Sequence, residues 1–274
     1  MFNPVSLSAK LFKKYLHTPN HPFKIRIQNL IGKYLFSYGI EVINETGVKF
    51  CLTANDWISR MILMEGNYEK KSLKLSEKLL EGGGVFIDIG ANFGLYTCIL
   101  SANKNVEAYS IEPNYMVMPD LLKNVALNVR SNVNILNVAL SGEVQFVGFK
   151  LENPVNLGMA SFELTNNALF SILSCPLEFI FKSQQIQTAE LIKIDVEGNE
   201  FDVLMNFSFD KYYVKNILLE FNNLSSKSLK ELYVFFSLRG FKMRNINGKE
   251  LYNLSEGIPE NNLWLVNTHL NSFH

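Results

Sequence analysis

Short apolar runs alternate with helical segments through the middle of this 274-residue chain, and that order constrains its fold most. Residues 85–89, 106–111 and 133–138 have the composition of buried strands, and residues 95–102 and 115–129 have helical spacing. Parallel neighbouring strands need a crossover, which is usually a helix. A β-α-β-α-β order therefore predicts an open parallel sheet of the α/β class.

The second half of the chain supplies four more predicted strands. They cover residues 191–196, 216–221, 241–246 and 263–268, with helices predicted over 199–205 and 225–238. The last two strands form a hairpin whose loop contains Asn247-Gly248, and residues 140–188 have a less regular pattern. Seven mostly parallel strands that end in an antiparallel hairpin are typical of class I methyltransferases. A dinucleotide-binding fold would normally end in parallel strands with helical crossovers.

The first 65 residues differ from the rest and are predicted to form a small cap on a main domain of residues 66–274. Two short amphipathic helices are separated by Pro19 and Pro22, and alternating residues predict a β-hairpin around Asn44-Glu45-Thr46-Gly47. The apolar positions at helical spacing are Leu7, Leu11, Phe12, Phe23, Ile27, Leu30, Ile31, Tyr34 and Leu35.

The net charge of zero is the sum of two unequal parts. Residues 1–40 contain six basic residues and no acidic residue, which leaves 20 basic against 26 acidic residues in the remainder. A neutral chain disfavours a nucleic-acid partner, because phosphate neutralisation needs surplus Lys and Arg. The basic arm 1–40 has two interpretations. Its apolar side packs on the domain below a solvated basic face, or it contacts an anionic membrane surface or acidic partner.

The cysteines and histidines restrict the available chemistry. Cys51, Cys98 and Cys175 are far apart, so neither a disulfide framework nor a zinc site is expected, and no metal is predicted. All four histidines lie near the termini, which leaves carboxylates, Lys, Tyr or a cofactor for central chemistry. Neither a membrane-spanning run nor a secretory signal is visible, so we expect a cytoplasmic protein.

The stretch Asp88-Ile89-Gly90-Ala91-Asn92-Phe93-Gly94 lies where the first strand of the sheet turns into the first helix. Ligands of open parallel sheets bind at this edge. A G-x-G-x-x-G pattern fails here at two of three glycines, which disfavours NAD, and no P-loop Lys follows. By itself, Asp88 is also compatible with a simple helix N-cap.

Glu112 ends the second strand of the sheet, 24 residues after Asp88. An acidic side chain at this position typically binds the hydroxyls of a ribose. Asp88 and Glu112 together fit a cofactor that carries a ribose and a cation but no phosphate. This description matches S-adenosylmethionine.

A second motif, Ile192-Lys193-Ile194-Asp195-Val196-Glu197-Gly198-Asn199-Glu200, ends the fourth strand. Alternation places Lys193, Asp195 and Glu197 on one side of the strand, at the ligand edge of the sheet. Two alternatives remain open: a carboxylate metal site, and charges that merely cap the next helix.

The chain resembles the FkbM family of S-adenosylmethionine-dependent methyltransferases across about residues 60–222. The matching pieces are Gly66-Asn67-Tyr68-Glu69, residues 85–97, Ile111-Glu112-Pro113, Asn124, Asn128 and residues 192–200. The resemblance implies methyl transfer to a hydroxyl oxygen, often of a sugar, glycan or secondary metabolite. It also implies that Asp88, Gly90, Asn92 and Gly94 cradle the methionine part of the cofactor, that Glu112 binds its ribose, and that Asp195 and Glu197 face the acceptor.

An unactivated hydroxyl benefits from a general base, and the candidates are Asp195 first and Glu197 second. Lys193 is expected either to stabilise the alkoxide or to snorkel toward solvent. Three alternatives remain: an amine or carboxyl acceptor, a non-catalytic cofactor-binding module, and a base-specific nucleic-acid methyltransferase. The last is disfavoured because the Asn-Pro-Pro-Tyr type of element is missing after the fourth strand.

Overall fold

The computed structural model describes residues 2–54, 56–66, 68–151, 160–163, 170–196, 200–220, 226–252 and 262–269. In chain order, the strands are β1 (Asn3–Pro4), β2 (Ile40–Ile43), β3 (Lys49–Leu52), β4 (Gly84–Ile89), β5 (Val106–Ile111), β6 (Val133–Leu136), β7 (Ala139–Leu140), β8 (Gln145–Leu151), β9 (Ala160–Glu163), β10 (Ser171–Cys175), β11 (Thr188–Ile194), β12 (Tyr213–Glu220), β13 (Phe241–Asn245) and β14 (Asn262–Asn267). The helices are α1 (Leu7–Leu16), α2 (Lys24–Leu35), α3 (Trp57–Glu65), α4 (Lys70–Leu79), α5 (Leu95–Leu100), α6 (Met118–Leu127), α7 (Leu177–Ser183), α8 (Glu200–Met205) and α9 (Ser226–Leu238).

Seven strands form the central sheet, in the order β6-β5-β4-β11-β12-β14-β13. Five neighbouring strands of this sheet, β6, β5, β4, β11 and β12, are parallel, and β14 pairs antiparallel with both β12 and β13. The inner strands β4 and β11 are buried along most of their length, because helices cover both faces of a parallel sheet. This arrangement confirms the predicted class I methyltransferase sheet with its C-terminal hairpin.

The register of the sheet brings the predicted motifs to one edge. Asp88 on β4 lies opposite Lys193 on β11 and opposite Ser110 on β5. All three strands run in the same direction, so their carboxyl ends share this edge. The connections that follow them are therefore neighbours in space, although they are up to about a hundred residues apart in sequence.

The N-terminal cap contains the predicted helices and hairpin. Strands β1, β2 and β3 form a small antiparallel sheet, and α3 adds a helix that the sequence analysis did not identify. Asn124 on α6 joins the cap to the main sheet: its Oδ1 accepts from the Cys51 backbone N–H (2.7 Å), and its Nδ2 donates to the Phe93 carbonyl (2.9 Å). Apolar side chains of cap and sheet belong to one continuous core, in which Phe50 packs edge-on against Phe93.

The segment from 140 to 188 contains more regular structure than its pattern predicted. Strands β7, β10, β8 and β9 form a separate four-stranded sheet, and α7 precedes β11. These strands have two to seven residues, and among their described side chains Ala139, Val147 and Ile172 form a small buried cluster of their own. They pair with one another and not with the central sheet, so they do not continue the alternation of strands and helices from which the central sheet was predicted.

The basic arm 1–40 packs on the core through α1, where Ala9, Phe12 and Leu16 are buried, but it leaves most of its predicted apolar positions exposed. Among its predicted apolar positions, Phe12 is buried and Ile31 packs partly against the core. The others are exposed: Leu7, Leu11, Phe23, Ile27, Leu30, Tyr34 and Leu35. Within the described ranges, no helix combines the length and the apolar character needed to cross a bilayer.

Candidate active site

The Asp88 carboxylate lies fully inside the protein at the end of β4. Its Oδ2 accepts hydrogen bonds from the Thr97 backbone N–H (3.1 Å) and hydroxyl (2.6 Å), so it caps the first turn of α5. Its Oδ1 is buried and has no hydrogen-bond partner among the described residues. Burial raises the pKa of Asp88, while the charge of Lys193 and the bonds from Thr97 oppose this shift. Oδ2 therefore stabilises the start of α5, and Oδ1 is left as a hydrogen-bond acceptor that no described residue satisfies.

The connection between β4 and α5 has a left-handed backbone at Gly90, Asn92 and Gly94, with φ of 78°, 51° and 90°. Gly90 donates its N–H to the Ile111 carbonyl (2.9 Å). A Cβ at Gly90 would overlap the carbonyl oxygen of Asp195, because the chain after β11 passes directly beside the turn. Because Gly90 has no side chain, the turn after β4 and the segment after β11 can approach each other this closely.

Glu112, immediately after β5, connects the glycine turn after β4 to the segment that follows β5. Its Oε2 accepts from the Asn92 backbone N–H (2.7 Å), and its Oε1 accepts from the Asn114 backbone N–H (2.7 Å). Burial raises the pKa of Glu112 to about 7, although the two backbone donors act in the opposite direction. The contact holds Glu112 against the glycine turn.

Lys193 and Asp195 form an ion pair at the end of β11, with 3.1 Å between Nζ and Oδ2. Lys193 is 5% exposed, and its Nζ lies 4.8 Å from the ring centroid of Tyr96. Burial of the ammonium acts to lower the pKa of Lys193, but the surrounding carboxylates, Asp195 foremost, outweigh it and raise the pKa above its usual range. Lys193 therefore does not snorkel to solvent, while the Asp195 side chain is 30% exposed.

Two further carboxylates lie at this edge, and the sequence analysis did not assign them. One oxygen each of Glu69, Asp195 and Glu220 lies within 4.8 Å of the others, a separation that a shared cation would tolerate. The Tyr96 hydroxyl donates to Glu69, and burial raises the pKa of Glu69. Two features of the sequence could have indicated them. Glu220 lies at the end of a predicted strand, and Glu69 belongs to the Gly66-Asn67-Tyr68-Glu69 piece.

The structure thus brings together most of the predicted site residues. Asp88, Gly90, Asn92, Gly94 and Glu112 surround one turn, and Lys193 and Asp195 lie beside it. Glu197 lies outside the described residues, so its predicted role stays a prediction. The arrangement places a partly exposed carboxylate, a buried ammonium and the loops after β4 and β5 at one sheet edge, where ligands of such folds bind.

A family model described as the Methyltransferase FkbM domain matches residues 88–243, more than half of the chain. The chain belongs to this family. It is accordingly an S-adenosylmethionine-dependent methyltransferase. The match begins at Asp88 and includes Glu112, Lys193 and Asp195.

Among curated relatives of this FkbM methyltransferase is the hexuronic acid methyltransferase AglP of Haloferax volcanii. It is 24% identical over 184 residues, which cover 66% of this chain and 73% of the relative.

Solved structures with partial similarity include an O-methyltransferase from Bacillus cereus and TrmK from M. capricolum, both in complex with S-adenosylhomocysteine. The first has a TM-score of 0.43 and 9% identity over 71% of this chain and 79% of its own. The second has a TM-score of 0.41 and 17% identity over 73% and 71%. These similarities are weak, and the fold is defined by the strand order described above.

Gly90→Ala tests the close approach of the turn after β4 to the segment after β11. Gly82→Ala and Gly47→Ala are its controls. The exposed Gly82 has ordinary backbone angles and open space around it, so Gly82→Ala should change the free energy of unfolding by less than about 0.5 kcal/mol. Gly47 has φ of 85° and open space, so Gly47→Ala should cost about 1 kcal/mol from backbone strain alone. Gly90→Ala adds the overlap with Asp195 and should cost more than about 3 kcal/mol in urea unfolding. Equal losses for Gly90→Ala and Gly47→Ala would contradict the packing described here.

The raised pKa of Glu112 predicts a specific pH dependence of stability. Between about pH 4.5 and 7, folded Glu112 keeps a proton that the unfolded chain has released, so its contribution to stability is lost as pH rises through this window. The predicted loss is on the order of 3 kcal/mol, from about 1.4 kcal/mol per pKa unit. Glu112→Gln should remove this slope from urea unfolding measured across the window, and exposed Glu81→Gln should retain it. The assignment fails if both variants keep the slope of the unmodified protein.

Proposed function

We propose that this protein transfers the methyl group of S-adenosylmethionine to a hydroxyl oxygen of a sugar, glycan or secondary metabolite. The observation that carries the proposal is the Asp195 carboxylate, which is partly exposed and held by Lys193 beside the glycine turn. The curated relative named for hexuronic acid supports a sugar as the acceptor class. Uronic acids are therefore the first acceptors to examine.

The residues of the turn fit the proposed cofactor. The unpaired, buried Oδ1 of Asp88 is an acceptor that a cationic group would satisfy. The buried Glu112 carboxylate has acceptor capacity beyond its two backbone donors, as ribose hydroxyls require. Gly90 and Gly94 give the turn between these two carboxylates its left-handed backbone. We assign Asp88, Gly90, Asn92, Gly94 and Glu112 to cofactor binding on these grounds.

The bound cofactor would supply an electrophilic methyl group on a positively charged sulfur. The chain's own part is to orient an acceptor hydroxyl and to remove its proton. Asp195 is the proposed general base, since its ion pair with Lys193 fixes its Oδ2 and leaves the other oxygen to accept a proton. Lys193 is buried and positively charged, so it would stabilise negative charge on the oxygen as the proton leaves. Glu197 remains the second proposed base.

An amine acceptor is the second candidate, because the carboxylates of Glu69, Asp195 and Glu220 would attract an ammonium group. The same cluster disfavours a carboxylate as the reacting group, since like charges would lie a few ångströms apart.

The chemical stability of the product separates these acceptor classes. The protein is incubated with tritiated cofactor and either glucuronic acid glycosides or glucosamine glycosides. We expect label on the uronic acid in a form that resists mild alkali, as a methyl ether does and a methyl ester does not. Alkali-labile label would indicate a carboxyl acceptor, and label found exclusively on glucosamine nitrogen would indicate an amine acceptor. Either result would overturn hydroxyl transfer.

Asp195→Asn tests the proposed base. It preserves the size of the side chain and an acceptor for Lys193 but removes the proton acceptor, so turnover should fall at least about tenfold. Cofactor affinity measured by isothermal titration should stay unchanged, because the turn and Glu112 are intact. Glu190→Gln is the matched control, since Glu190 lies on the same strand in an ion pair with Lys215 at the opposite end. Unchanged turnover in Asp195→Asn would refute the role of Asp195.

A further inference from the structure

Helix α2 is oriented with its polar side toward the protein. Lys24, Gln28 and Gly32 follow each other at four-residue spacing on one face, and all three are buried. The Lys24 ammonium donates to the carbonyls of Leu16 (2.9 Å) and Thr18, so it fastens the start of α2 to the end of α1. A surface helix normally buries its apolar face, and α2 does the opposite.

The opposite face of α2 presents an apolar stripe to solvent. Phe23, Ile27, Leu30 and Tyr34 occupy positions i, i+4, i+7 and i+11, which lie along one side of a helix. Their exposed fractions are 60%, 37%, 51% and 70%. Ten of the 22 exposed large apolar side chains in the described part of the chain lie before residue 41. This density marks an interaction surface, because isolated exposed apolar residues are ordinary but clusters are not.

Helix α1 repeats the same pattern. Leu7 and Leu11, one turn apart, are exposed, and Lys10 and Lys14 lie beside them on the outer face. The inner face of α1 is conventional, with Ala9, Phe12 and Leu16 buried. Both helices therefore carry outward apolar residues next to lysines or arginines.

The charge of the outer faces has one sign. Arg26 and Lys33 flank the stripe on α2 and are exposed, and the Lys33 ammonium lies 5.4 Å from the ring centroid of Tyr34. No acidic residue occurs before Glu41. The remaining chain has six more acidic than basic residues, so this arm has a net positive charge and the rest of the chain a net negative one.

We propose that the outer faces of α1 and α2, called here the arm surface, bind an anionic lipid bilayer. Amphipathic helices with lysines and arginines beside large apolar residues lie in the plane of the bilayer interface. Apolar side chains enter the acyl boundary while basic residues contact anionic headgroups. With 10 and 12 residues, the two helices suit a position along the interface.

Vesicle sedimentation tests this proposal with the full chain. One set of vesicles is phosphatidylcholine alone, and the other contains phosphatidylglycerol as well. We expect binding to the anionic vesicles at least about tenfold tighter than to neutral ones, and weaker binding as salt is added. Equal recovery with both vesicles would overturn the proposal.

A matched pair of variants tests the apolar stripe. Leu30 on α2 is 51% exposed and Leu122 on α6 is 52% exposed, so Leu→Ser removes the same exposed surface at each site. Leu30→Ser should weaken binding to anionic vesicles at least about fivefold, and Leu122→Ser should leave it unchanged. Thermal unfolding of both variants confirms that each is folded. Equal effects of the two substitutions would contradict the proposed surface.

Arg26→Gln combined with Lys33→Gln tests the electrostatic part in the same assay. This double variant should bind anionic vesicles at least about fivefold more weakly, since Lys10 and Lys14 remain on α1, whereas Lys78→Gln combined with Lys104→Gln, both exposed and outside the arm, should leave binding unchanged. The alternative partner for the arm surface is a second copy of the chain. An oligomer in sedimentation equilibrium that Leu30→Ser dissociates, without vesicle binding by the unmodified protein, would overturn the proposal in favour of self-association.

Discussion

The close approach of the chain segments that follow β4 and β11 underlies the arrangement of the whole site. The Asp195 backbone N–H donates to the Ile89 carbonyl (3.0 Å), which extends the ladder beyond the last paired residues of the two strands. This approach leaves no volume for a side chain at Gly90. The same glycine turn is therefore the proposed cofactor loop and also positions the proposed base. The Asp195 carboxylate, one residue past the end of β11, therefore lies beside a turn about a hundred residues earlier in the chain.

Buried charge is the second constraint on this sheet edge. Asp88, Glu112 and Glu69 are desolvated carboxylates, and each is stabilised by a specific donor: Thr97, two backbone N–H groups and Tyr96, respectively. Lys193 supplies a buried positive charge among them. Unpaired buried charges are expensive, so such a cluster persists because its members hold one another in place. The resulting site is polar and fixed before any ligand arrives, as electrostatic stabilisation of a reaction requires.

The N-terminal cap is connected to the site through polar contacts, and its outer surface differs in character. Asn124 bridges the hairpin and the glycine turn, so the cap positions the backbone at Phe93. The arm, in contrast, directs Lys24 and Gln28 inward and leaves its apolar residues outside. In our proposals, one part of the cap supports the chemistry and the other brings the enzyme to an anionic surface.

The sequence by itself determined the sheet and the main motifs. Strong local periods marked the strands of the central sheet, and glycines and carboxylates at strand ends identified Asp88, Gly90, Glu112 and Asp195, because such signals depend on neighbouring residues only. Tertiary structure alone decided that Glu69 and Glu220 join Asp195, that one oxygen of Asp88 caps a helix while the other is buried without a described partner, and that α2 turns its apolar face outward. These features depend on which segments pack together across the chain. A helical period shows that one face is apolar, but the energy of anchoring Lys24 and the shape of its neighbours decide which face is buried.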